Sequence, residues 1–105
     1  MDSARIRARI ERQYVMLRAS PELDAAGAAP IGRELDAIQP NTDVVVDMSD
    51  VSRCTDDGWR VLSQATQRLS AADGSLTLSR LQPDVRAALR SSAFADQLKV
   101  RRRGR

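Results

Sequence analysis

The segment Val44-Val45-Val46-Asp47-Met48-Ser49-Asp50-Val51-Ser52-Arg53-Cys54-Thr55-Asp56-Asp57-Gly58-Trp59 constrains the fold more than any other part of the chain. A short apolar run ends in a polar turn. Two adjacent carboxylates, Asp56 and Asp57, then open an amphipathic helical pattern. A strand whose carboxyl end leads onto a helix N-terminus points to an α/β arrangement, and α/β proteins place binding sites at such junctions.

Elements on either side extend this reading. Residues 5–10 alternate, with Ile6, Ala8 and Ile10 on one face and Arg5, Arg7 and Arg9 on the other, the pattern of a half-exposed edge strand. After a polar turn, residues 14–19 read as a second strand, antiparallel to the first and stopped by Pro21, which cannot donate to a sheet ladder. Asp24 is placed to cap a helix over residues 24–38, with Ile31, Leu35 and Ile38 at helical spacing; Pro30 and two glycines predict a late start or a break. Val44-Val45-Val46, without alternation, predicts a strand covered on both faces.

The strongest helical stripe falls at Val61, Leu62, Ala65, Leu69 and Ala72 and predicts a helix over residues 58–72, ended by Asp73-Gly74. Residues 75–79 alternate as a strand. Pro83 suits the first turn of a helix through Arg90, a short helix is expected over residues 94–98, and Val100 leads into a final strand or a frayed end. The expected fold is α/β: a mixed, mostly parallel sheet of four to five strands with helices packed against it. Residues 1–100 form the expected domain and residues 101–105 a basic tail. The turns at residues 20–24, 47–58 and 80–83 should share one rim.

Composition removes several kinds of chemistry. The chain of 105 residues contains no histidine and one cysteine, which lowers the expectation of a catalytic triad or a zinc site and rules out an internal disulfide. No cofactor and no metal are expected. An aspartate-based magnesium site like that of receiver domains lacks its companions, because the first turn carries only Glu11 and the sole lysine is Lys99. No apolar run approaches a membrane span, and the amino terminus leads into arginines rather than an apolar signal, so a cytoplasmic protein is expected. The net charge of +3 is uneven: residues 1–50 carry 6 Arg against 9 acids, whereas residues 51–105 carry 11 Lys or Arg against 5. The arginines of the tail read either as a solvated end or as a contact for nucleic acid or an acidic partner. Without the tail the domain is nearly neutral and has only Tyr14, Trp59 and Phe94 as aromatics, which argues against nucleic acid.

Three segments, in order, carry a family likeness. Leu17-Arg18-Ala19-Ser20-Pro21-Glu22-Leu23-Asp24 is similar to a strand ending in Gly-Glu-Leu-Asp, with Pro21 in place of the glycine. Residues 44–51 are similar to Val-Val-Leu-Asp-Leu-Ser-Gly-Val, and Thr55-Asp56-Asp57-Gly58-Trp59 stands where the pattern has Asp-Ser-Ser-Gly-Leu. The chain thus resembles the STAS domain of bacterial anti-sigma factor antagonists. The resemblance implies a regulatory protein without enzymatic activity that binds an anti-sigma factor of kinase fold, and it leaves self-association open. In that family the first serine of the switch is phosphorylated, which abolishes partner binding. The equivalent positions here are Asp56 and Asp57, with Thr55 in place of the family's aspartate.

Aspartate is no substrate for a serine kinase. Asp56 supplies one negative charge where phosphoserine supplies about −1.5 to −2, so the switch is expected to be fixed, on or off, unless Thr55 takes it over. The resemblance marks Glu22, Asp24, Gly58 and Trp59 as partner-binding. Each also has a plain structural role: Thr55, Asp56, Asp57 and Asp24 as helix caps, Trp59 as core, Asp47 as the residue that orients its turn. A second reading is an accessory STAS subunit of a lipid ABC transporter assembly that docks on an ATPase, where lost serines cost nothing.

Overall fold

The chain walks across its sheet in one direction. A computed structural model describes residues 12–101, which comprise β1 (Gln13–Arg18), β2 (Glu22–Leu23), α1 (Ala25–Asp36), β3 (Thr42–Asp47), β4 (Arg53–Cys54), α2 (Asp56–Ala71), β5 (Ser75–Ser79), α3 (Pro83–Arg90) and β6 (Lys99–Val100). Strands β1, β3, β5 and β6 pair in that order, every neighbour parallel, while β2 and β4 form a separate two-stranded parallel sheet. The strand expected at residues 5–10, and with it the antiparallel pairing, lies outside the described residues, as do residues 102–105 of the tail.

A one-way series of right-handed crossovers stacks its helices on one face of a sheet. Burial follows that geometry. Val44 and Val46 of β3 and Leu76 and Leu78 of β5 are buried with Leu35, Trp59, Leu62 and Leu69 in one apolar cluster. On the opposite face Tyr14 is 76% exposed and Met16 65% exposed, and Val45 and Thr77 are half-buried. The expectation that Val44–Val46 is covered on both faces is therefore corrected. Val45 points away from the helices, and β3 alternates as a one-sided strand does.

Two further expectations change. α1 runs unbroken through Pro30, which lies on its exposed side together with Ala26, so that water can meet the Ala26 carbonyl that loses its N–H donor. Residues 94–98 form turns instead of a short helix. The Ser92 hydroxyl donates to the Leu89 carbonyl at 2.8 Å and accepts from the Phe94 N–H at 3.1 Å. It thereby supplies the local bonds that a helix would otherwise make.

The other elements follow the sequence closely. Asp24 caps α1, its carboxylate accepting from the Gly27 N–H at 2.8 Å. Pro83 opens α3, whose Val85 and Leu89 are buried. α2 ends at a left-handed Asp73 (φ 65°), with the Gly74 N–H donating to the Leu69 carbonyl at 2.8 Å. No helix among the described residues is long and apolar enough to cross a membrane.

Candidate functional site

The site is the rim where the small β2–β4 sheet meets the start of α2. Glu22 pairs in register with Arg53 and Leu23 with Cys54, so segments remote in sequence lie side by side. Bonds from one segment to the other hold them there. The Ser52 N–H donates to the Pro21 carbonyl at 2.9 Å, and the Thr55 N–H donates to the Leu23 carbonyl at 3.1 Å. The rim therefore unites residues 20–24 with residues 53–57, as the sequence pattern suggested. The two-stranded sheet that unites them was not foreseen, since two residues are too few to show periodicity.

Thr55 is the N-cap of α2, but its side chain makes no capping bond to the helix. Its hydroxyl donates instead to the Leu23 carbonyl, at 3.4 Å. The first turn is left to its two acids. Asp56 and Asp57 are both exposed, and their charges lie favourably against the positive end of the helix dipole. Asp57 also pairs with Arg60 at 3.0 Å. Arg60 in turn lies over the Phe94 ring, 5.8 Å from its centroid.

Gly58 and Trp59 require a correction. The resemblance placed both among the partner-binding residues, yet both are buried, Trp59 at 1% exposure. A Cβ on Gly58 would run into the Leu23 carbonyl and stand 2.8 Å from the Cys54 sulfur. Gly58 is there because α2 approaches β2 at backbone distance. Trp59 fills the core below that contact, so both support the turn from beneath. Asp24 is half-buried and committed to its cap. Glu22 is exposed, with Arg53 at 3.9 Å, and is free to meet a partner.

The neighbouring turn is organised by Asp47, as expected. Its buried carboxylate accepts from the Ser49 N–H at 2.9 Å, and Arg18 lies 3.8 Å away. Hydrogen bonds from Ser49, then the charges of Arg80 and Arg18, hold its carboxyl below the usual value against the opposing effect of desolvation. The Gln82 side chain donates to the Ser49 carbonyl at 2.9 Å and joins the turn after β5 to the same rim.

Cys54 is half-buried, and desolvation, followed by the Asp56 charge, pushes its thiol up to about 12. Such a thiol is neither a nucleophile nor a ready metal ligand at neutral pH. Among the described residues no three histidine, cysteine, aspartate or glutamate side chains gather as a metal site. The rim presents the exposed carboxylates of Glu22, Asp56 and Asp57.

Comparison with known proteins places this geometry. The family model described as "Mlab, STAS domain" matches residues 6–101. No curated protein matches the chain. Among solved structures, that titled "NMR Structure of the protein TM1081" superposes with a TM-score of 0.70 at 17% sequence identity, covering 96% of this chain and 90% of that one. At that identity the likeness is one of fold.

Proposed function

Because the chain belongs to the STAS domain family, whose members are regulatory and generally bind partner proteins, we propose that it is an anti-sigma factor antagonist-like protein with a permanently charged switch turn. Glu22, Asp56 and Asp57 form the surface presented to an anti-sigma factor of kinase fold. The observation that carries this reading is the exposure of both carboxylates at the family's switch position, above a turn pinned by Gly58 and Trp59.

The charge is written into the sequence, so binding is set by the partner's surface rather than by a kinase. Thr55 is read as a structural residue rather than a restored switch, a reading supported by its hydroxyl donating to the Leu23 carbonyl at the base of the turn. That engagement also favours the second reading, a STAS subunit docking on the ATPase of a lipid transporter, which requires no modifiable hydroxyl.

Pull-down followed by titration with the recovered partner tests both readings. An anti-sigma kinase among the partners supports the first and a transporter ATPase the second; recovery of neither counts against both. With an anti-sigma kinase and ATP, no phosphate should enter position 55, 56 or 57. Asp56→Ser then reads the sign of the charge. A tenfold gain in affinity, about 1.4 kcal/mol, identifies Asp56 as a mimic of the phosphorylated state, and a comparable loss identifies a partner surface that requires the carboxylate.

A further inference from the structure

Several of the described arginines have acidic partners: Arg12 holds Asp43, Arg18 faces Asp47 and Asp50, and Arg68 faces Asp36. Arg86, Arg90 and Arg101 do not. These three, drawn from α3 and the end of β6, line one surface cavity of about 280 Å³, and none forms an ion pair among the described residues. Asp96, the nearest acid beyond α3 in sequence, forms no ion pair with them either. The cavity has an apolar floor in Leu89 and Leu98, both buried, and Arg86 is itself half-buried above it. A half-buried guanidinium without a carboxylate lies in surroundings that strengthen any ionic contact brought to it.

We propose that this cavity is a second protein-docking site, for an acidic segment that carries one apolar anchor side chain. Carboxylates of the segment pair with Arg86, Arg90 and Arg101 while the anchor settles on Leu89 and Leu98. Charge complementarity selects an anionic occupant, and the recessed apolar floor selects among anions. A phosphate backbone has nothing apolar to place there, and Phe94, the nearby ring, is half-buried beneath Arg60 and offers no stacking platform. A membrane surface is met by apolar groups that protrude, and here they are recessed. The sequence beyond Arg101 adds Arg102, Arg103 and Arg105 to the positive charge of the chain. The cavity shares no lining residue with the rim and does not rest on the function proposed for it.

Fluorescence anisotropy on the full chain tests the proposal, with labelled twelve-residue peptides in which Leu, Ile, Met or Phe is flanked by Glu and Asp. At least one is expected to bind at moderate salt. Arg86→Gln with Arg90→Gln should weaken it by about tenfold or more, and exchange of the apolar anchor for Ser should weaken it by about tenfold. Arg33→Gln, an unpaired arginine elsewhere, should leave affinity within twofold. Circular dichroism verifies that each variant is folded, and Ala95→Phe, which narrows the cavity, provides an independent block. The proposal is overturned if no acidic peptide binds better than its Gln/Asn counterpart, or if deletion of residues 102–105 abolishes binding while the Arg86 and Arg90 changes do not. Tighter binding of duplex DNA or anionic vesicles with the same arginine dependence would overturn it equally.

Discussion

The backbone of Gly58 lies against the carbonyl of Leu23, in space that no side chain could share. The same carbonyl accepts from the N–H and the hydroxyl of Thr55. A single peptide group of β2 thus fixes both the start of α2 and the position of its two acids.

Gly58→Ala should therefore destabilise the fold by about 1–3 kcal/mol, since the helix must retreat from β2. Gly32, in α1, is the contrasting case. A Cβ there would meet only the Val61 side chain, at 3.3 Å. Gly32→Ala should be neutral or stabilising by up to about 1 kcal/mol, through helix propensity. Urea denaturation of the two variants provides the comparison.

Thr55→Val removes the hydroxyl bond to Leu23 and should cost about 1 kcal/mol, whereas Thr55→Ser should retain most of it. A Val variant as stable as the native chain would show that the bond contributes nothing.

Asp56→Asn and Asp57→Asn should each lower stability by about 0.3–1 kcal/mol at low salt through loss of a favourable helix-dipole contact, and the loss should shrink as salt is added. Thermal melts at two ionic strengths measure it. Any change in partner affinity beyond this amount reports on the surface itself.

At the other end of β3, the Arg12 guanidinium and the Ser75 hydroxyl hold the Asp43 carboxyl at about 2, below its ordinary 3.8. A carboxyl whose folded value is depressed contributes stability above its unfolded value and loses it as pH falls through the folded one. Melting temperature should therefore decline between about pH 4 and pH 2, and the decline should be shallower in Asp43→Asn. An unchanged slope in that variant would remove Asp43 from the acid response.

Cys54 should resist thiol reagents at pH 8 in the folded protein and react readily in denaturant, because burial and Asp56 raise its thiol to about 12. Rapid modification of the native chain would contradict this.

What the sequence disclosed and what it withheld divide along physical lines. β5 and α3 were legible to the residue, because alternation at Leu76 and Leu78 and a proline at the start of α3 are local signals. The rim was legible as a pair of turns, through Asp24 and the acids at 56 and 57. The single-sided cover of β3 was not legible, because an all-valine run has no pattern, and exposure of Val45 depends on where the crossovers put their helices. The burial of Trp59 was legible as a core role for a large apolar side chain, but its removal from the rim surface follows only from the packing of α2 on β2. Asp73 is a related case. It takes the left-handed cap that a neighbouring glycine would be expected to take, while Gly74 serves its close approach to Thr42.

The two-residue strands β2 and β4 pair only with each other and take no place in the main sheet. The switch turn consequently hangs from a bracket of its own, bolted to α2 by one carbonyl. The chemistry of that turn is thereby uncoupled from the main β-sheet, which would accept serine or aspartate at positions 56 and 57 without change.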